Sequence, residues 1–401
     1  MTIKRASIRG DNELYVILVL QGGGALGAYQ IGAYQAMEEA GYRPDWVSGI
    51  SIGAVNSAII AGNPPGDRLE RLEGLWDAIS RPDGWGALLT GEFREWFNRA
   101  SIAEAVLFGQ PHFFRPRISS PYFAPPDTPA AMSFYNDSPL GDTLERFADF
   151  DLINARAVRL SLGVTKIRTG ELEFFDNTRQ KIGPEHVMAS GSLPPGFPGT
   201  PIAGELYWDG GCVSNTPLEA VIQDEPKMDT LVFMIDLWSK VGAEPRSIDE
   251  VLWRQKQIQY ASRTDYTIKS VALRANQRYR LREELVRKLS DLPPDSLESR
   301  SLSAVQAAFG FESRKMHIAH IIYEPGPDQL PMSDVEFSRP SIADRRAAGY
   351  HDMEFALKEA PWFKEEVTRA MEEPAGAYMH QFKGGQCRTL IPTEPSPESS
   401  P

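Results

Sequence analysis

Two glycine-rich turns near the start of the chain, each between a short apolar run and a helical pattern, restrict the fold more than any other feature. The first apolar run covers residues 14–20 and leads through three successive glycines into a helical stretch at about residues 25–40. The second covers residues 46–50 and leads into a helix of small residues at 52–61. Strand, turn and helix repeated in this order are typical of βαβ units. We therefore expect an α/β fold with a mostly parallel central sheet.

Further strands and helices are expected along the rest of the chain. The strands are predicted at residues 157–165, 171–176, 231–237 and 317–323, the first two as a hairpin, and the helices at residues 248–289 and 354–371. Residues 81–139 are rich in Pro, Phe and Trp. This composition favours an irregular connection with one or two helices, and the alternative is a lid or acyl-binding wall, because long loops often cover enzyme sites. Residues 391–401, rich in Pro, Ser and Glu, predict a disordered tail.

Composition limits the classes of function. Hydrophobic residues make up 42% and charged residues 24% of the 401 positions, which fits a globular chain with a sizeable core. The net charge of −12 argues against a protein that coats nucleic acid, so no nucleic-acid partner is expected. With Cys212 and Cys387 as the only cysteines, we expect no disulfide framework, no metal site, no other cofactor and a reducing, cytoplasmic location. No apolar run approaches the roughly 18 residues needed to span a bilayer.

The charge is unevenly distributed. Residues 251–290 contain ten basic and three acidic side chains, a local charge of about +7 that leaves the remainder near −19. A solvated helix face, or pairing with the acidic remainder, is the favoured interpretation. The alternative is peripheral contact with an anionic membrane, with Trp253, Tyr260 and Tyr266 as interfacial anchors.

The first glycine-rich turn fits two functions. Gly22, Gly24 and Gly27 satisfy the pattern G-x-G-x-x-G, and Asp45 lies near the distance where a dinucleotide-binding acid is expected. That acid should end the second strand, however, whereas Asp45 precedes it. Three glycines at a helix N-terminus can instead present backbone N–H groups to a developing negative charge.

The second turn, Gly49-Ile50-Ser51-Ile52-Gly53, lies between a strand and a helix. This is the context of a nucleophile elbow, in which small flanking residues permit a tight turn that exposes the serine hydroxyl. The alternative is a glycine-rich turn with an incidental serine. The order of the motifs and the upstream glycines favour Ser51 as a nucleophile.

A nucleophilic serine needs a base. His317 and His320 would suit a triad, but both lie in an apolar, strand-like run where a structural histidine is at least as common. Asp209 is the stronger candidate, because it directly follows an aromatic run and is followed by Gly210 and Gly211. An Asp-Gly hairpin turn is the alternative interpretation.

In this order and at these separations, the motifs at residues 22–27, 49–53 and 209–211 resemble those of the patatin-like phospholipases. Residues 189–198 resemble the segment that these enzymes carry before the Asp-Gly pair. The resemblance implies a three-layer α/β/α patatin-like fold with a catalytic domain at residues 14–240. Residues 241–390 are similar to a C-terminal extension of some bacterial members, expected to be mainly helical and able to add strands to the sheet.

The resemblance also implies the roles of the site residues. Ser51 would be the nucleophile, Asp209 the general base, and the backbone N–H groups of Gly22, Gly23 and Gly24 the oxyanion hole. Many members have Arg or Lys where this chain has Leu26, so no side-chain contribution to the oxyanion site is expected from that position, whereas the backbone donors are unaffected. The implied reaction is hydrolysis of carboxylic esters in acylated lipids through an acyl-enzyme. Two alternatives stay open: an acyltransferase with an acceptor other than water, and a non-catalytic nucleotide-binding or interaction protein.

Overall fold

The computed structural model describes residues 14–81, 86–224, 228–293, 296–308, 315–326, 329–364 and 377–390. The strands are β1 (Tyr15–Leu20), β2 (Trp46–Gly49), β3 (Arg115–Pro116), β4 (Tyr135–Asn136), β5 (Arg159–Lys166), β6 (Glu171–Asp176), β7 (Thr200–Ile202), β8 (Glu205–Asp209), β9 (Thr230–Asp236), β10 (Met316–Ile322), β11 (Ala377–Lys383) and β12 (Gln386–Leu390). The helices are α1 (Ala28–Glu39), α2 (Ile52–Ala61), α3 (Arg68–Ile79), α4 (Gly91–Phe108), α5 (Ser138–Phe147), α6 (Phe150–Asn154), α7 (Pro184–Gly191), α8 (Leu218–Asp224), α9 (Ile248–Ser290), α10 (Leu297–Ala308) and α11 (Arg339–Glu359).

A mixed, mostly parallel sheet forms the centre of the molecule. Strands β11, β10, β9, β1, β2 and β5 lie side by side in that order and run parallel. Strand β12 is antiparallel at one edge, and β6, β8 and β7 add antiparallel pairs at the other. The predicted α/β class with a mostly parallel sheet is therefore confirmed.

Helices cover both faces of this sheet, because alternate strand residues point to opposite sides. Leu18 of β1 and Phe233 of β9 pack in a core with α1, α2, α3 and α11. Val19 and Val232, their neighbours along the same strands, pack on the other face with α8 and α9. The three-layer arrangement expected from the sequence is the observed one.

The C-terminal region is continuous with the sheet. Its strands β10 and β11 extend the parallel order beyond β9, while α9 and α11 cover opposite faces. Helices α1 and α11 cross very closely, since a Cβ atom on Gly32 would lie 1.8 Å from the carbonyl oxygen of Arg346. A Cβ atom on Gly349 would likewise lie 1.9 Å from the carbonyl oxygen of Tyr29.

One helix prediction is wrong. The helix expected at residues 354–371 begins at Arg339 and ends at Glu359, and residues 365–376 lie outside the described part of the chain. Ser338 caps this helix by accepting a hydrogen bond from the N–H of Ser341, and Pro340 occupies its first turn, where proline is tolerated. The predicted tail at residues 391–401 also lies outside the described residues. None of the described helices is both long and apolar enough to cross a membrane.

Candidate active site

Ser51 lies in a strained turn between β2 and α2. Its backbone has φ 57° and ψ −126°, a region that non-glycine residues rarely adopt. The flanking glycines make the turn possible: a Cβ atom would lie 2.3 Å from the carbonyl oxygen of Gly53 if placed on Gly49, and 2.2 Å from that of Leu20 if placed on Gly53. Ser51 is half-buried. The turn thus has the geometry of a nucleophile elbow.

Ser190, near the end of α7, holds this turn in place. The backbone N–H of Ser51 lies 3.1 Å from both the carbonyl oxygen and the hydroxyl oxygen of Ser190. The Ser190 hydroxyl in turn donates to the carbonyl oxygen of Gly163 at 2.6 Å. Ser190, in the segment at residues 189–198, therefore positions the turn, a structural role that no local sequence pattern indicates.

Asp209 ends β8 and is buried beside Ser51. Its carboxyl group faces the Ser51 side chain closely enough for that hydroxyl to affect its pKa, and its Oδ1 accepts a hydrogen bond from the N–H of Gly211 at 2.7 Å. Burial raises the pKa of Asp209 from 3.8 to about 7; the N–H of Gly211, the hydroxyl of Ser51 and the charge of Lys256 act in the opposite direction. Near neutral pH the carboxylate can therefore accept a proton.

The glycine turn after β1 lies against Ser51. A Cβ atom on Gly22 would be 2.9 Å from the Ser51 Cβ. The N–H of Gly22 donates to the carbonyl oxygen of Asn215 at 3.3 Å, whereas the N–H groups of Gly23 and Gly24 have no acceptor within the described part of the chain. Gly23 and Gly24 are half-buried. Of the three glycines expected to form an oxyanion hole, these two have N–H groups free for a substrate oxygen.

The three remaining motif glycines pack closely at the same site. A Cβ atom on Gly27 would lie 2.7 Å from the Ile52 side chain, and one on Gly210 the same distance from the Gly163 carbonyl oxygen. A Cβ atom on Gly211 would lie 3.1 Å from Oδ1 of Asp209. The motifs at residues 22–27, 49–53 and 209–211 thus meet around one serine.

The two histidine candidates lie on β10 with other partners. His317 Nδ1 is 2.9 Å from Nε2 of His380, and His320 Nε2 is 2.8 Å from Oδ2 of Asp236. Burial lowers the pKa of His317 to about 4, so its ring is neutral at physiological pH. Of the three candidates for a base, Asp209 is therefore the one that lies beside Ser51.

The C-terminal region supplies residues around the site that the sequence analysis missed. Lys256 of α9 forms an ion pair with the carboxylate of Asp334 and lowers the pKa of Asp209. The carbonyl oxygen of Asp334 would lie 2.2 Å from a Cβ atom on Gly24. The buried guanidinium of Arg345 donates to the carbonyl oxygens of Ala25 and Ser333, each at 3.1 Å. No local pattern links these side chains to a serine some 200 to 300 positions earlier.

Two aromatic side chains expected at a membrane interface are packed inside the protein instead. The ring of Trp238 lies 5.1 Å from that of Trp253 and 5.2 Å from that of Tyr260, and Tyr260 is buried. The Trp238 indole N–H donates to the carbonyl oxygen of Gly22 at 2.8 Å. Tyr266 is exposed. Helix α9 therefore forms a wall of the site through its first three turns.

The site combines the groups that acyl transfer requires. It has a serine on a strained turn, a buried carboxylate of raised pKa and two free backbone N–H donors beside them. Within the described residues, no group of three or more His, Cys, Asp or Glu side chains is placed to hold a metal ion.

Comparison with known proteins gives two family matches. Residues 18–222 match the family described as patatin-like phospholipase, and residues 258–369 match one described as patatin phospholipase. No curated protein matches the sequence significantly.

Three solved structures are among those similar to this chain. VipD from Legionella pneumophila is 17% identical, with a TM-score of 0.35, over 86% of this chain and 67% of that one. Human GIVD cytosolic phospholipase A2, in complex with a fluorophosphonate inhibitor, is 11% identical, with a TM-score of 0.28, over 55% of this chain and 40% of that one. ExoU in the ExoU-SpcU complex from Pseudomonas aeruginosa is 17% identical, with a TM-score of 0.26, over 65% of this chain and 52% of that one.

Proposed function

Because the chain belongs to the patatin-like phospholipase family and is a lipid hydrolase, we propose that it cleaves carboxylic esters of acylated lipids through an acyl-enzyme on Ser51. Asp209 is the proposed general base. The observation that supports this most strongly is the buried Asp209 carboxyl, which faces a serine whose backbone has a positive φ of 57°. Neither feature serves packing, since each costs free energy.

In the proposed first step, the Ser51 Oγ attacks the ester carbonyl carbon while Asp209 accepts the hydroxyl proton. The carbonyl oxygen becomes an oxyanion that the N–H groups of Gly23 and Gly24 stabilise. Gly22 has no side chain, which leaves room for Ser51 next to it. The C–O bond to the leaving alcohol then breaks, and Asp209 returns the proton to that oxygen. Water then attacks the acyl carbon while Asp209 takes its proton, the bond between the acyl carbon and the Ser51 Oγ breaks, and Asp209 returns the proton to Oγ, which releases the fatty acid and restores the enzyme.

The environment of Asp209 supports its role as the base. An ordinary carboxylate, with a pKa near 4, is a weak base toward a hydroxyl, and a base works best when its pKa is near the working pH. Burial raises the pKa of Asp209 to about 7. The N–H of Gly211 fixes one carboxyl oxygen, so the side chain has a defined orientation toward Ser51.

Hydrolysis of a panel of phospholipids, lysophospholipids and acylglycerols by wild type and Ser51→Ala tests the proposal. We expect fatty acid release by the wild type, and loss of both this release and labelling by a fluorophosphonate in the variant. Release by a correctly folded Ser51→Ala protein would contradict the assignment. Adding an alcohol or lysolipid acceptor separates hydrolysis from acyl transfer, because a transferase forms a new ester in place of free fatty acid.

We also propose that residues 14–240 form the catalytic domain and that residues 241–390 complete its site through Lys256 and Asp334. Peripheral contact of residues 251–290 with anionic lipid stays a prediction. Its support is a set of exposed basic side chains on α9, namely Arg263, Lys269, Arg274, Arg280, Arg287 and Lys288.

A further inference from the structure

Residues 86–136 carry an unusual concentration of exposed apolar side chains. Of the 24 large hydrophobic side chains exposed in the described part of the chain, eleven lie between positions 88 and 134. We call these eleven the apolar face: Leu88, Phe93, Trp96, Val106, Leu107, Phe108, Ile118, Tyr122, Phe123, Met132 and Phe134. Exposed apolar side chains concentrated in one segment in this way indicate an interaction site.

Helix α4 is amphipathic, but its polar side chains are buried and its large apolar side chains are exposed. Its buried side carries Arg94 and Asn98, which are 6% exposed and bonded to each other at 3.1 Å. Its outer side carries Phe93 and Trp96, which are 76% and 71% exposed, and continues along the same stripe to Leu107. A helix that faces water would present the opposite pattern, so α4 is built for contact with an apolar partner.

The exposed side chains of the apolar face are attached to backbone segments that are packed tightly against the rest of the protein; we call these segments the base. The Arg94 guanidinium donates to Asp344 of α11 at 2.8 Å. The ring of Phe114 packs at 5.1 Å from Tyr135 and 5.4 Å from Phe197, and the Tyr135 hydroxyl donates to the carbonyl oxygen of Val106 at 2.8 Å. The apolar face is therefore part of the folded structure.

This base joins the candidate active site on two sides. Helix α4 contacts the turn at residues 333–335, whose Asp334 carbonyl oxygen lies against Gly24. At the other end, the N–H groups of Phe134 and Tyr135 donate to the carbonyl oxygens of residues 195 and 196 at 3.1 and 2.9 Å. That loop follows the α7 segment that holds the Ser51 turn. The base of the apolar face is thus connected to the glycine turn through residues 333–335 and to the nucleophile turn through the loop at residues 195–196.

The net charge of residues 86–136 indicates which kind of apolar partner this face would bind. Between residues 86 and 136 there are four basic residues, Arg94, Arg99, Arg115 and Arg117, and four acidic ones, Glu92, Glu95, Glu104 and Asp127. The segment is neutral in a chain of net charge −12. A neutral, aromatic-rich surface matches a zwitterionic lipid layer, where Trp and Tyr favour the headgroup boundary.

We propose that the apolar face docks on the surface of a zwitterionic phospholipid bilayer and so holds the candidate active site near the lipid. This inference rests on the proposed lipid hydrolysis, because it is the position of the face beside the site that selects a bilayer. A protein partner or a second copy of this chain would cover the same border and obstruct the path of a lipid substrate. Docking through this face differs from contact through the basic α9 helix, since it needs no anionic lipid.

Flotation with phosphatidylcholine vesicles tests the proposal, using the full chain with the Phe93→Ser/Trp96→Ser double substitution. Both side chains are exposed, so we expect the variant to fold normally. Its vesicle partition coefficient should fall at least tenfold, because two aromatic anchors are lost. The matched control, Val241→Ser/Leu297→Ser, removes two side chains that are 73% and 84% exposed elsewhere and should bind as the wild type does.

Two further measurements separate this inference from the proposed catalysis. Ser51→Ala should bind vesicles like the wild type, and the Phe93→Ser/Trp96→Ser variant should hydrolyse a small water-soluble ester at the wild-type rate while losing activity on vesicles. Wild-type binding by the double variant would overturn the proposal, as would no binding of wild type to phosphatidylcholine vesicles. A wild-type dimer that dissociates on the double substitution would overturn it too, because the face would then be an interface between copies.

Discussion

Replacing Asp209 by Asn should stabilise the fold at alkaline pH while removing the proposed base. The pKa of Asp209 rises from 3.8 to about 7 on folding, so between these values the folded state holds a proton that the unfolded state has lost. Stability from this group therefore falls as the pH rises from about 4 to 7 and is constant above. At roughly 1.4 kcal/mol per pKa unit, the total cost is about 4 kcal/mol.

Asn cannot ionise and does not bear this cost, and its carbonyl oxygen can still accept the N–H of Gly211. Urea unfolding at pH 5.5 and 8.5 measures the difference. The free energy of unfolding of Asp209→Asn minus that of wild type should be about 2 kcal/mol larger at pH 8.5 than at pH 5.5. The reason is that about 1.5 of the roughly 3 pKa units of the shift lie between these two pH values. Ser51→Ala is the matched control: it removes the nucleophile but keeps the carboxyl, so its stability should still fall with rising pH, with the pKa of Asp209 moved upward because the Ser51 hydroxyl lowers it. An equal stability difference at both pH values would refute the reasoning.

Three further predictions concern the site and the fold. First, kcat/KM for ester hydrolysis should rise with pH through a midpoint at about 7, as Asp209 loses its proton, and a Lys256→Met substitution should move this midpoint upward in a pH–rate profile because the cation favours the carboxylate. Second, Gly53→Ala should lower the free energy of unfolding by about 3 kcal/mol in urea titrations, since its Cβ would meet a backbone carbonyl, whereas Gly66→Ala, which meets nothing within 4 Å, should have little effect. Third, Gly32→Ala should lower Tm by separating α1 from α11, and an unchanged Tm would show that this crossing is not tight.

The sequence predicts local structure well where strand, glycine turn and helix follow one another. The predicted helix at residues 52–61 has those bounds, and the predicted hairpin partner at residues 171–176 is β6. These segments have strong local signals, namely apolar periodicity and glycines that end or start an element. The predicted helix at residues 354–371 missed the first fifteen residues of α11, whose start is marked by the Ser338 cap and by Pro340 in the first turn.

The site could be predicted only in part, for a physical reason. Ser51, Asp209 and the glycines each lie at the end of a strand, so their local context indicates exposure at a turn. Lys256, Asp334 and Arg345 reach the site by packing between elements far apart in the chain. The hydrogen bond that occupies the N–H of Gly22 also depends on Asn215, which local pattern does not place there.

The central claim is that Asp209 activates Ser51 for attack on lipid esters. The most direct test is the initial rate of fatty acid release from phospholipid by wild type, Asp209→Asn and His320→Gln, each confirmed as folded by near-UV circular dichroism. The account predicts a loss of about 10³-fold in Asp209→Asn, within the range for removal of a general base, and a wild-type rate in His320→Gln. A near wild-type rate in Asp209→Asn, or loss of activity confined to His320→Gln, would contradict it.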